Sequence, residues 1–532
     1  MFNIDQSGVY IRPQSLWFIL AMPFGLWLTG IVSCMDLPCE WLVRLGVVFG
    51  GVGLWLSILQ YRVNARLMEQ LLYLLLASLL MHAMVGMMQM MPRSPLSGWI
   101  PVSGSGRLLG MFQQPNLQAS LMATGIALAF WLAARDSFLK QRWLFQVVVF
   151  LTLLIASLEV TASGSRVGIV GAAIAIVLLL MARFAFWRTQ PKLLLALVLI
   201  MSAGVGFGLK VNNGAVQAYN KIERMAQEGQ DARPHIYRIA IDVFERSPIF
   251  GHGIGSFQRE FQKERVTYYQ SRDASAIEGA PRFSHPHNEM LFWMNEGGVI
   301  ALLAIGSAVL GVLLQVIRLG WANGLSGAAL LVPIALHTQT ELPFYISTYH
   351  WIVFVFLLVP LFIMGPNEKP VRISSQASAL LRWTPVFIVP VLVGFLTHSL
   401  VSQTGVMAYF KQRGSDVTHL RFALNNVYFK ELGEYFVMRG SLNGAIEQKN
   451  MTQVQGFIDW ATPYLDQIPD TQLFSDVATA YHHLGEHEQA IAVIEQAQAI
   501  YPKEGGIQAT LKQLMSDKPS SSSGSLDAQS SD

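Results

Sequence analysis

His285-Pro286-His287-Asn288-Glu289 closes a long polar segment, residues 211–289, where the chain returns to apolar residues. The imidazole of His287 is a natural general base near neutral pH. Asn288 beside it could fix the ring or hydrogen-bond a sugar. The alternative is a histidine that only packs. Upstream, Arg233 and Arg238 offer two guanidinium groups of the kind that grip a diphosphate. Their alternative is pairing with Asp231, Asp242 or Glu245. Arg166 follows Ser163-Gly164-Ser165 at a helix start, where free N–H groups also favour anions. Arg107 is the other cation in a short loop on the same face. The alternative for both is an interfacial arginine that snorkels.

Two more polar motifs join these, Gln113-Gln114-Pro115-Asn116 and Glu341-Leu342-Pro343-Phe344-Tyr345. Gly251-His252-Gly253-Ile254-Gly255-Ser256-Phe257 is a tight turn with a superficial likeness to phosphate-binding glycine loops. No strand precedes it, which argues against a nucleotide site. Metal chemistry is not expected. Near these motifs there is no Asp-x-Asp pair and no His-x-x-x-His helix spacing, and His285 with His287 shows no evident carboxylate or cysteine partner. No cofactor is expected either. Cys34 and Cys39 are the only cysteines and share one short loop, either as a structural disulfide or as two thiols.

These residues are carried by a membrane protein. Of 532 residues, 52% are hydrophobic and 13% charged, with mean hydropathy +0.40. Soluble domains average about 25% charged residues. The net charge of +3 comes without a basic tract, so nucleic acid is not an expected partner. The N-terminal stretch has no small-x-small cleavage site and reads as a retained first helix. The sequence predicts an all-α membrane bundle of about eleven spans, each of ~17–25 apolar residues. Their cores are 15–33, 42–60, 67–91, 117–134, 143–160, 167–187, 193–210, 290–317, 325–342, 350–365 and 383–401. Glu296-Gly297-Gly298 near the start of the 290–317 span suggests an interfacial entry.

Charge orients the bundle. With the N-terminus cytoplasmic, the inner side carries Arg12, Arg62, Arg66, Arg135, Lys140, Arg142, Arg183, Arg188, Lys192, Arg318, Lys369, Arg372 and Arg382. The short outer loops then carry Arg93, Arg107 and Arg166. This asymmetry puts the long polar segment and the C-terminus outside. Every polar motif named above then falls on one face, as an active site would require. The expected divisions are 1–210 (first helices), 211–289 (large outer loop), 290–401 (last helices), 402–518 (soluble helical domain) and 519–532 (Ser-rich disordered tail).

Within 402–518, Ala480-Tyr481, Leu484-Gly485, Ala490, Ala497 and Pro502 reproduce the second-half spacing of a tetratricopeptide repeat. One repeat cannot bury its own face, so it must stack on helices from 402–475. The region either helps recognise a protein or caps the bundle.

Taken in order, these motifs resemble a known family. Gly110-Met111-Phe112-Gln113-Gln114-Pro115-Asn116 resembles the Gln-Pro-Asn motif of PglL-type protein O-oligosaccharyltransferases. Ser165-Arg166-Val167-Gly168, Arg233 with the glycine turn, and His287-Asn288-Glu289-Met290-Leu291 resemble the wider O-antigen ligase and polymerase superfamily. His337-Thr338-Gln339-Thr340-Glu341-Leu342-Pro343 is similar to the His-and-Glu-Pro element of the PglL branch. Met111 and Gln113 depart from the asparagines common there. The resemblance covers roughly residues 100–365.

It implies a metal-independent transferase in the Gram-negative inner membrane, active on the periplasmic face. Such an enzyme moves a preassembled glycan from undecaprenyl diphosphate to a Ser or Thr hydroxyl of a secreted, pilin-like protein. On this reading His287 is the base, and Arg166 and Arg233 meet the departing diphosphate. Gln114, Asn116, Arg107, Arg238, Asn288, Glu341 and Tyr345 position substrates. The rival readings are ligation of O-antigen to a lipid A core, glycan polymerisation, and a non-enzymatic transporter of lipid-linked glycan. A transporter should carry polar groups midway along its spans. Only scattered candidates such as His82 and His398 do so.

Overall fold

A computed structural model describes residues 9–33, 37–61, 63–91, 108–112, 114–211, 232–271, 275–280, 282–363, 369–414 and 416–516. Arg107, Gln113, Cys34 and the tail 519–532 lie outside the described residues. The described chain is helical apart from one antiparallel strand pair, Val9–Arg12 with Lys369–Arg372. It falls into two compact units, one of residues 1–255 with 285–391, the other of 256–284 with 392–532.

Seven helices of the described chain are long and apolar enough to cross a membrane. One is the 49-residue run Glu289–His337, interrupted at Gly298 and again at Gly320, both at positive φ. Three shorter apolar helices accompany them: Leu16–Val32, Arg166–Ala182 and Thr348–Ile363.

The hub of the first unit is the Pro115–Ala133 helix. Proline at its first position gives up a backbone N–H that has no helical partner anyway. Every residue from Leu117 to Ala133 is buried. A helix enclosed on all sides has no polar stripe. Its Ala and Gly positions let four helices close on it: Ala65–Gln89, Trp143–Ala162, Arg166–Ala182 and Ser326–His337.

Helix ends near the polar motifs are closed by side chains, which relieves unpaired N–H groups. Ser165 caps Arg166–Ala182 through Gly168 N–H, and Asn288 caps the Glu289 helix through Leu291 N–H at 3.0 Å. Gly298 (φ +63) breaks that helix where the backbone of Ile249–Gly251 crosses it. A Cβ there would lie 2.3 Å from Ile249 O. The non-helical φ follows from the need to admit this crossing chain.

The second unit is built of helical hairpins. Thr471–His483 and His487–Ile500 pack through Ala480, Ala490 and Ala497, all fully buried, and Gly485 turns between them at φ +83. Part of the polar segment belongs to this unit. The Phe257–Ser271 helix seats Val266 against the core and buries Arg265 completely. Arg265 Nη2 donates to the carbonyls of Ile277 (2.6 Å) and Ala280 (2.8 Å), and the guanidinium lies over the Tyr501 ring. The segment read as one loop over 211–289 is thus shared between the two units.

Candidate active site

The chain enters the Glu289 helix through a constrained turn. His287 adopts φ +53, a left-handed conformation costly for a residue with a Cβ and found most often where function over-determines the backbone. Its N–H donates to His285 Nδ1 at 3.2 Å, and Glu289 N–H donates to Thr338 O at 2.9 Å. Asn288 spends both ends of its amide on structure. Oδ1 caps the helix and Nδ2 donates to Gln339 O at 3.0 Å. The loop after His337 is thereby fixed against His287.

That loop carries Glu341, whose Oε2 lies 3.0 Å from His287 Nδ1. Arg233, on the Ala232–Arg246 helix, places Nη2 3.9 Å from the other carboxylate oxygen. A carboxylate on Nδ1 holds the ring with its proton there and presents Nε2 for proton transfer. Nε2 has no hydrogen-bond partner among the described residues. Burial pushes the Glu341 carboxyl up. The hydrogen bond and charge of His287, then His285 and Arg233, outweigh it and hold the group below the usual carboxylate range. His285 is pushed down to about 4, first by burial and then by His287.

His285, His287 and Glu341 also offer ligand atoms within 4.8 Å of one another. The carboxylate that the sequence did not place beside the two histidines is Glu341. Such a trio could hold a divalent ion. As arranged, His285 Nδ1 accepts from a backbone N–H, His287 Nδ1 faces the carboxylate, and the Arg233 guanidinium stands beside it.

Other expected site residues are placed as follows. Arg166 is exposed at the start of its helix. Gly168, two residues on, packs on Ala119, and neighbouring Ser120 bonds His337 Nδ1 at 2.8 Å. Arg166 therefore lies at the same end of the bundle as the loop carrying Glu341. Gln114 precedes the buried hub helix, and its Oε1 is buried with no partner among the described residues. Asn116 is half-buried in the first turn. Arg238 pairs with Asp242 at 2.9 Å, the helical-neighbour arrangement, and is turned to that carboxylate. Tyr345 lies beside the Arg44 guanidinium, 4.7 Å from its ring centre. Cys39 is the second residue of the Pro38–Gln60 helix.

Several supporting residues were not expected at the site from the sequence. Gln89 holds the loop before the hub helix, donating to Gly110 O at 2.7 Å and accepting from Gly110 N–H at 2.8 Å. Gln118 donates to buried Glu159 at 2.7 Å. Arg44 is buried between Glu296 and Glu40. Glu296 Oε1 also accepts from Gly255 N–H at 3.0 Å, so the glycine turn is a packing device on the broken helix. The only available hint was an Arg and a Glu within apolar stretches, since such charges require partners.

Three family models match the chain. One described as O-antigen ligase covers residues 150–306. One described as virulence factor membrane-bound polymerase, C-terminal, covers 325–514. One described as protein glycosylation ligase covers 109–133. The three matches together support placing this multi-pass membrane chain in the O-antigen ligase superfamily, which includes the PglL-type ligases. The short match over 109–133 falls on the Gln-Pro-Asn element and the buried hub helix. A comparison with curated proteins gives no significant match.

Proposed function

We propose that this protein is a protein O-oligosaccharyltransferase. It moves a preassembled glycan from undecaprenyl diphosphate to a Ser or Thr hydroxyl of a periplasmic, pilin-like protein. The observation that carries the reading is the hydrogen-bonded His287–Glu341 pair with Arg233 beside it. His287 Nε2 takes the hydroxyl proton as the acceptor oxygen bonds to the anomeric carbon. The bond from that carbon to the diphosphate oxygen breaks, and Arg166 and Arg233 stabilise the departing charge. Glu341 positions the imidazole and steadies the imidazolium. Gln114, whose Oε1 has no partner among the described residues, and Asn116 meet the substrates, as does Tyr345. Arg107 and Arg238 are assigned to diphosphate binding, which requires Arg238 to leave Asp242.

The reaction is metal-independent on this reading. The Nδ1 atoms of His285 and His287 are engaged in hydrogen bonds, and Arg233 already supplies positive charge at Glu341. The bundle crosses the Gram-negative inner membrane eleven times, counting the three shorter helices and two crossings within Glu289–His337. Pairing of Val9–Arg12 with Lys369–Arg372 supports an even number of crossings between them. Those strands are cytoplasmic, and the site and C-terminal domain periplasmic. That domain is TPR-like and helps recognise the acceptor.

A second reading, glycan polymerisation, is favoured by the polymerase C-terminal match over 325–514. The test is intact mass of a co-expressed pilin, with lipid-linked glycan supplied, for wild type and His287→Ala. A glycan-sized gain that disappears in the folded variant supports protein transfer. No gain on any of several pilin and lipoprotein acceptors transfers the assignment to a ligase or polymerase.

A further inference from the structure

The Ser375–Lys411 helix runs unbroken for 37 residues, longer than a bilayer needs. Its apolar stretch begins after Arg382, with Trp383 at the boundary. At about 1.5 Å per residue, a core of ~30 Å takes about 20 residues. The far edge of the core then falls near Ser402, and any tilt moves it further toward Lys411.

The chain immediately beyond folds back along this helix. Asn426 Nδ2 donates to Ser399 Oγ at 3.2 Å, and the Phe422 ring lies 6.4 Å from that of His398. Gly405 meets the His419 carbonyl so closely that a Cβ would lie 2.3 Å from its oxygen. Residues 417–428 therefore reach back to the level at which the helix leaves the hydrocarbon.

This segment has two faces. Leu420 and Ala423 are fully buried and pack with Val406 and Tyr409. Val417, Phe422, Val427 and Tyr428 turn outward, each 45–51% exposed. Lys411, Arg413, Arg421 and Lys430 flank them in sequence. Apolar and aromatic side chains bordered by basic groups suit the headgroup boundary of a bilayer.

We propose that the 417–428 segment is an interfacial foot. It seats Phe422, Val427 and Tyr428 in the outer headgroup region of the same leaflet that the Ser375–Lys411 helix leaves. The inference does not depend on which glycan or acceptor the enzyme uses.

The full-length protein would carry a photoreactive benzoylphenylalanine at position 422, 427 or 428, and at exposed Gln448 as the aqueous control. Each is reconstituted in phosphatidylethanolamine–phosphatidylglycerol vesicles, irradiated, and analysed by mass spectrometry. Lipid adducts at the three foot positions at least 10-fold above those at 448 are expected. Adducts no more frequent than at 448 overturn the proposal, as does crosslinking to a second protein in place of lipid. Three independent positions keep the result decisive if one variant misfolds, which gel filtration would report.

Discussion

Glu341 and His287 are 54 residues apart in sequence and bonded at 3.0 Å, with the Arg233 guanidinium on the far side of the carboxylate. This arrangement separates two roles. His287 faces the reacting hydroxyl in the proposed mechanism, whereas Glu341 acts through it. Replacing His287 with Ala should lower transfer on the order of 10²–10⁴-fold. Glu341→Gln keeps the shape but not the charge, and should lower kcat about 10²-fold with little change in KM. Steady-state kinetics with a glycan-sized mass shift as readout separate the two. An equal rise in KM for Glu341→Gln would return that residue to substrate binding.

The pair should also leave a signature in stability. His285 titrates at about 4 in the fold, below its ordinary value, so the unfolded chain takes up its proton first as pH falls. Stability from this source is intact above about pH 6.5 and declines toward pH 4. Glu341 is depressed, so its contribution is present above the ordinary carboxylate range and is lost as pH falls through the folded value. Thermal unfolding in detergent should show Tm falling between pH 6.5 and 4. His285→Asn should flatten that slope while leaving the decline at lower pH.

Metal ions supply a third test. Three ligand atoms within 4.8 Å should let added Zn²⁺ compete for the histidines. Activity should survive exhaustive EDTA treatment, and micromolar Zn²⁺ should inhibit reversibly. Loss of activity in EDTA, restored by a divalent ion, would reassign the trio as a catalytic metal site.

The broken helix is expected to be sensitive at one glycine. A Cβ at Gly298 would meet Ile249 O at 2.3 Å, and φ is +63. Gly298→Ala should cost about 1–3 kcal/mol, the scale of local backbone strain. Gly306→Ala, with nothing within 4 Å of the added atom, should be nearly neutral. Thermal melts of the two variants make the comparison.

Arg44 is enclosed by Glu296, Glu40 and the rings of Phe292 and Tyr345. Arg44→Met leaves Glu296 buried without its partner and should destabilise by about 3–5 kcal/mol. Adding Glu296→Gln should recover much of this loss, because the amide oxygen still accepts from Gly255. Urea titration of both variants measures the recovery.

Local sequence sufficed for the helices and for the chemistry on offer. Apolar runs of membrane length and the helix start at Arg166 are local signals, each decided within a few residues. They were legible because burial pattern and capping depend on neighbours in the chain. The proposed base and arginines could be nominated for the same reason, since each sits in a short polar motif. Tertiary structure decided the partnerships. Glu341, read as a substrate contact, bonds His287, and Arg233 stands beside it. Asn288 serves as a cap and strap. Residues 257–271, expected in the same loop as His287, belong to the C-terminal helical unit through buried Arg265. No local pattern encodes which carboxylate meets which imidazole. That choice follows from helix packing, and packing brings together residues whose separation along the chain carries no periodic signal.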